Sequence, residues 1–419
     1  LPTTGAGLRA WSLGQGLASR GHEVLYSMPR AALQGDARQV NSRIQELLWD
    51  VGKLEAVINL ATPDIVIACG WSTLAQLKHC AVPVILDQHG PHLLERQFQN
   101  HLDTRSNRAE KLYGLARADF FTCAGERQRQ YFLPWLRDAG WTEPEQSSAV
   151  VPVSLGGAWP PLQPKSSVRD PVFVYGGVFL PWQDPSLALL TLVERMEVHG
   201  RGKLRIFGGK HPFLPIDTER YDQLVRRLSA SSHVEISPML GRDLLLEEYR
   251  RADVAVDLMQ RNEERELAFT TRTVEYLWCG LPVIYNDYAE LADYIGPAQA
   301  GWCLDPEDKA SMAALFDQIL LQPDVVIERS RNARRLAEER LNWATTIDPI
   351  DLFCRMPTKR RAAQASGTQS TPTTAATAAT MPRKSIRTLL GEATFHFRRG
   401  GIRGFVYEFL GFLQRKIQP

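Results

Sequence analysis

The stretch ELAFTTRTVEYLWCGLPVIYND, Glu266 to Asp287, holds two structural periods side by side. Thr270, Thr271, Arg272 and Thr273 stand ahead of Val274, Tyr276, Leu277 and Trp278, whose spacing is that of a helix with a polar start. Gly280 stops that helix, and Pro282 opens a short apolar run that reads as a buried strand. The unpaired N–H groups and dipole of a helix start favour an anion, and Glu275 lies one turn after Thr271 on the same face. The pattern predicts a phosphate-and-ribose platform in which Thr271 and Arg272 meet phosphate oxygens and Glu275 accepts from ribose hydroxyls. The plainer alternative is a capped helix with a solvated glutamate.

The same alternation extends in both directions. Upstream, LRAWSLGQGLASRG has apolar residues at helical spacing, and HEVLYSM after it reads as a strand. PDIVIACG, VPVILDQHG and ADFFTCAG are continuous apolar runs ending in Gly or polar residues, as buried parallel strands do. After a Pro/Gly/Ser-rich passage at 155–170 the rhythm restarts with PVFVYGG, KLRIFGG, HVEISP and DVAVDLM, each followed by a helical segment. The expectation is α/β, with two facing doubly wound Rossmann-like domains at 1–158 and 159–350 and a hinge between them. A low-complexity linker at 351–382 and a basic amphipathic tail at 383–419 complete the chain.

At 419 residues there is enough chain for two domains and therefore for a cleft between them. Apolar content of 44% and charged content of 23% are those of a soluble globular protein, and no run of about 18 apolar residues is present to span a bilayer. The formal net charge of +2 is unevenly spread: from Arg355 onward twelve basic residues face two acids, so the preceding residues carry 37 basic against 45 acidic. A mildly acidic globular part argues against nucleic acid as a partner. The basic, aromatic tail either lies on an anionic membrane surface or packs on another element. Six scattered cysteines, Cys69, Cys80, Cys123, Cys279, Cys303 and Cys354, without any C-x-x-C pair read as buried thiols of a reducing cytoplasm. Leu1 reads as the interior of a longer chain, and no secretory leader is expected.

Several further residues are candidates. Gly5 and Gly7 precede the first helix, where small residues let a diphosphate approach the backbone. Their spacing is not G-x-G-x-x-G and no acid ends the next strand, which disfavours a dinucleotide. His89 follows a strand end within DQHGP and suits contact with a sugar hydroxyl or phosphate oxygen, or else a turn hydrogen bond. Lys210, after KLRIFGG, either neutralises phosphate or is a solvated loop residue.

Taken together, RTVEYLWCGLPVIYNDYAELADYI, GLRAWSLGQGLASRGHEV, LDQHGP and VYGGVFLPWQDP resemble the family-4 glycosyltransferases of the GT-B type over roughly residues 1 to 350. The resemblance implies a nucleotide-sugar donor held mainly by the second domain and a glycan or lipid-linked acceptor held mainly by the first. It further implies retaining transfer without an obligatory metal or cofactor, and a cytoplasmic enzyme of cell-surface polysaccharide synthesis whose tail contacts the inner face of the membrane. Glu275 matches the family's ribose glutamate, His89 its first-domain histidine, and Gly5 and Gly7 its glycine-rich loop. The family's E-x7-E acid would fall on position 267, which is Leu267 here, so the donor-sugar carboxylate is expected on Glu264 or Glu266. The family's Arg and Lys after the first strand of the second domain are absent from GGVFLPWQD, so Arg272 and Lys210 are expected to supply the phosphate charge. A GT-B epimerase and a non-catalytic scaffold or glycan-binding module are the competing readings.

Overall fold

The computed structural model describes residues 5–30, 47–98, 104–162, 167–210 and 217–360. Of the linker expected at 351–382, the residues from 361 onward lie outside the described residues, as does the tail expected at 383–419.

The first half opens with helix α1 (Gly5–Ser19), followed by strand β1 (Met28–Pro29), which pairs with β2 (Leu48–Trp49), and helix α2 (Leu54–Ala61). Its main sheet is parallel and runs β3 (Val66–Cys69), β4 (Val84–Gln88), β5 (Phe120–Cys123), β6 (Ser148–Val150) in sequence order. Helices α3 (Thr104–Leu115) and α4 (Glu126–Asp138) flank β5 in the chain. Trp71, Leu86, Phe121, Phe132 and Leu136 form the apolar layer between sheet and helices. The strand expected over HEVLYSM forms only at its end: residues 22–27 have no regular structure, and only Met28–Pro29 pair. The side chains of that segment instead pack on α1, where Tyr26 stacks on Trp11 with ring centroids 5.2 Å apart.

The second half contains β7 (Val172–Phe179), α5 (Ser186–His199), β8 (Lys203–Lys210), α6 (Glu219–Leu228), β9 (Val234–Ser237), α7 (Arg242–Arg251) and β10 (Val254–Asp257). It continues with α8 (Thr271–Trp278), β11 (Val283–Asn286), β12 (Gly301–Leu304), α9 (Lys309–Leu321), α10 (Val325–Arg340) and α11 (Asp348–Arg355). Six parallel strands lie in the order β9-β8-β7-β10-β11-β12, a doubly wound sheet whose strand order reverses between β7 and β10. Ligands bind such sheets at that crevice, beyond the carboxyl ends of the strands. Val254, Ala255 and Val256 are wholly buried on both faces of β10, as a central parallel strand requires.

The chain then crosses back. Leu155 and Asn342 bridge the two segments, and Ile347 and Ile350 bury against Leu13, Leu17, Ile85 and Val151 of the first half. Phe353 stacks on Phe120 at 4.8 Å, and the Arg360 guanidinium donates to the carbonyls of Ala116 at 2.6 Å and Ala118 at 3.2 Å. Residues 348–360 therefore complete the first layer, whereas the reading from composition closed the second domain at 350 and began a linker at 351. Ile350, Phe353 and Cys354 of DPIDLFCR share one helical face while Leu352 is exposed, and only a packed partner distinguishes such a helix from the start of a tail.

Candidate active site

At the reversal of strand order, Asp257 ends β10 and is buried. Its carboxylate accepts from the Thr270 and Thr273 hydroxyls and lies 3.0 Å from the Arg272 guanidinium. The same guanidinium donates to the Gly176 carbonyl at 2.8 Å, to the Tyr175 hydroxyl at 3.2 Å and to Gln183 Oε1 at 3.1 Å. Arg272 thus stitches the end of β7 to the end of β10. Gly177, within β7, adopts φ of 119°, and a Cβ there would stand 2.9 Å from Arg272 Nη1, so the strand needs glycine at this point for conformation and for space. Burial works against the charge of Arg272, but the carboxylate of Asp257 and the surrounding phenols outweigh it and hold the group protonated.

The sequence places Arg272 as a phosphate ligand, and the structure gives most of its donors to protein. The buried Arg272 Nε is the atom left without a protein partner. Thr271 presents its hydroxyl toward the first half of the chain: a Cβ on Gly5 would lie 3.5 Å from Thr271 Oγ1. The starts of α1 and α8 therefore converge from opposite halves, and their positive ends share one small volume. Gly7 lies in the first turn of α1.

What holds α1 in that place is an ion pair that reasoning from sequence passed over. Arg9 Nε and Nη2 donate to the two oxygens of Asp87 at 3.0 and 2.8 Å, Thr122 Oγ1 donates to Asp87 at 2.8 Å, and Arg9 Nη1 donates to the Pro152 carbonyl at 2.7 Å. Burial opposes the Asp87 charge, but Arg9 outweighs it and holds the carboxyl below its ordinary value. An acid at the end of an apolar strand, as in VILDQ, was the available signal.

His89 sits two residues on, its ring edge-on to His92 at 5.2 Å, with a buried Nδ1 that has no hydrogen-bond partner. Burial lowers its pKa, so the imidazole is neutral near pH 7 and can accept from a hydroxyl. His92 accompanies it, pushed down by burial to about 3, with its Nδ1 3.2 Å from Gln88 Nε2. Glu95 stands beside Gly90 and is pushed up to about 7 by burial and by Glu264.

The carboxylates sort themselves by environment. Glu275 is buried and accepts from Arg242 Nε at 2.7 Å, and burial raises its pKa against the pull of that arginine. Arg242, at the start of α7, was not a sequence candidate, since one basic residue at a helix start carries no pattern. Glu264 is buried in a bidentate pair with Arg265, with Nη2 to Oε1 at 2.7 Å, whereas Glu266 is half-buried and pairs with Arg261 at the surface at 2.7 Å. Of the two positions offered for the donor-sugar acid, Glu264 is the buried one, on the short helix Glu263–Glu266 that packs on His92–Arg96 of the first half. Lys210 ends β8, opposite Phe179, and its side chain lies outside the described residues. All six cysteines are free, with Cys123 and Cys279 buried and the other four half-buried, so the expectation of buried thiols holds in full for only two.

Two parallel α/β layers with a cleft at the strand-order reversal are the GT-B arrangement. Comparison with solved structures shows the same: sucrose-phosphate synthase from Thermosynechococcus elongatus superposes with a TM-score of 0.60 at 18% identity, over 84% of this chain and 93% of that one. WaaG, a glycosyltransferase involved in lipopolysaccharide biosynthesis, superposes at 0.57 and 15% identity over 84% and 96%. Residues 163–340 match the family model for Glycosyl transferases group 1. A D-inositol 3-phosphate glycosyltransferase of Acidothermus cellulolyticus is 26% identical over 183 residues, which are 43% of this chain and 39% of that protein. The match thus spans well under half of the curated relative's length.

Proposed function

We propose that the chain transfers a glycosyl residue from a nucleotide-sugar to a glycan or lipid-linked acceptor, with retention of anomeric configuration and without a metal. The observation that carries this reading is the convergence of the α1 and α8 starts at Gly5 and Thr271, beside the β7–β10 crevice. A diphosphate fits such a place because backbone amides and two helix dipoles supply its counter-charge. Glu275 on the same helix would then accept from the ribose, and neutral His89 would face the sugar with its unpartnered Nδ1. Chemistry of this kind needs stabilisation of the departing diphosphate and an oriented acceptor hydroxyl more than covalent participation by the protein. Synthesis of a cell-surface polysaccharide in the cytoplasm, with the tail at the inner face of the membrane, is the setting proposed.

A non-catalytic module is the second reading, favoured by one observation: Arg272, Arg265 and Arg242 are each neutralised by a carboxylate, Asp257, Glu264 and Glu275. Thermal shift against UDP-, GDP-, ADP- and dTDP-sugars, with Glu275→Ala as control, separates the two when combined with donor hydrolysis. A selective shift and hydrolysis, both lost in the variant, support the transferase. Binding without turnover, or no shift with any nucleotide, removes the transferase reading and supports the module.

A further inference from the structure

The first turn of α4 is gripped from the opposite half of the chain. Glu290, in the turn after β11, is buried, and its two carboxylate oxygens accept from the backbone amides of Glu126 at 2.8 Å and Arg127 at 2.9 Å. These amides are the start of a 13-residue helix, so a carboxylate from the second half of the chain caps a helix of the first. Gly125 just ahead of them has φ of −152° and ψ of 164°, a conformation open to any residue, so its lack of a side chain has another cause. A Cβ there would lie 2.6 Å from Glu290 Cδ, inside van der Waals contact. The glycine makes room for the carboxylate.

One residue further on, Gln128 is buried and works in the same direction. Its Nε2 donates to the carbonyl of Leu267 at 2.7 Å and reaches that of His89 at 3.4 Å, while its Oε1 accepts from the Ala124 amide at 3.0 Å. Leu267 lies just ahead of the Thr270–Glu275 platform, and His89 is the first-domain candidate that would face the sugar. One side chain thus spans the two walls of the cleft, next to the carboxylate that fixes the helix on which it stands. The outer ion pair, Arg127 with Asp293 at 3.3 Å, is exposed and adds little.

From this geometry we propose that Glu290 and Gln128 are positioning residues forming an interdomain clasp that holds the cleft closed with His89 opposite the α8 start. The clasp deepens the transferase reading, since it fixes the first-domain histidine relative to a donor platform, and its mechanical part stands without that reading. Releasing Glu290 exposes two amides and lets the halves part, which admits donor. Re-forming it restores the arrangement in which the sugar sits against His89.

Hydrogen exchange on the full chain without ligand tests the clasp. In Glu290→Ala the Glu126 and Arg127 amides exchange about tenfold or more faster than in wild type, as loss of hydrogen bonds to a charged acceptor requires, while 130–138 keeps its protection. Gly125→Ala produces the same change with Glu290 intact, because the added methyl displaces the carboxylate, and Glu290→Gln, which retains one acceptor oxygen, is intermediate. Unchanged protection in Glu290→Ala, or wild-type exchange in Gly125→Ala, overturns the proposal. If Glu290→Ala loses protection throughout β10 and β11 it has misfolded, and Glu290→Gln with Gly125→Ala decide the matter. Where a nucleotide-sugar is turned over, its KM rises in Glu290→Gln by a larger factor than kcat falls. A purely structural glutamate would leave KM at its wild-type value. Because exchange needs no donor, its failure removes the clasp alone, and the absence of any nucleotide shift removes the transferase reading alone.

Discussion

Asp87→Ala is the most decisive perturbation of the first half of the molecule. It deletes the partner of a wholly buried guanidinium, since the Arg9 and Asp87 side chains are 1% and 0% exposed. Three hydrogen bonds vanish, those from Arg9 Nε, Arg9 Nη2 and Thr122 Oγ1, and the positive charge stays behind without a counter-ion. Removing one member of a buried pair costs about 3–5 kcal/mol, a large share of the roughly 5–15 kcal/mol that holds a domain together. At roughly 2–4 °C per kcal/mol for a domain of this size, Tm falls by about 6–20 °C. Arg9→Met/Asp87→Leu recovers most of that loss, since neither charge is then buried, though Thr122 is left unpaired. The sign with pH follows from the lowered Asp87 pKa: the pair's contribution is complete above the unfolded value of 3.8 and is lost as pH falls below it, and the double variant lacks this dependence. Urea unfolding and thermal melts at pH 7 and at about pH 2.5, below the unfolded value, measure both effects. A cost below about 1 kcal/mol for Asp87→Ala, or a double variant as unstable as the single, would refute the reasoning.

Three further outcomes are expected. Glu264→Ala strands buried Arg265 and costs about 3–5 kcal/mol in urea unfolding, whereas Glu266→Ala, which breaks an exposed pair, costs under about 1 kcal/mol. Glu95 binds its proton more tightly folded than unfolded, so wild-type stability declines as pH rises from about 4.5 toward about 7. Glu95→Gln removes that decline, and its Tm exceeds wild type at pH 8 and matches it at pH 4. Arg272→Lys loses the bonds to Gly176 and Gln183 that a single ammonium cannot make together, and Tm drops even without ligand. An unchanged Tm with weakened nucleotide binding would instead give Arg272 to phosphate.

Much of the fold was legible because parallel strands buried on both faces must be continuous apolar runs. VILDQ, FFTC, VAVD and VIYN each became a strand at the expected place. Helix α7 follows HVEISP, as the pattern indicated. HEVLYSM pairs only at its last residue because alternation cannot distinguish a ladder from a segment packed on a helix, and the packing of 348–360 on the first half was not legible because its partners are more than two hundred residues away.

The site divides along the same line. The sequence alone determined that a polar helix start, Thr270 to Thr273, would carry Glu275 one turn later, because those are relations within a single helix. Only the tertiary structure decided which charges remain available: Arg272 is bound by Asp257, Glu275 by Arg242 and Glu264 by Arg265, while His89 keeps an open nitrogen. Likewise Gly125 looks from sequence like a turn residue, yet it is small because Glu290, 165 positions later, occupies the space its side chain would need. Local pattern fixes which groups stand on which element, but pairing energies depend on distances across elements, and those are set only when the two halves close on each other.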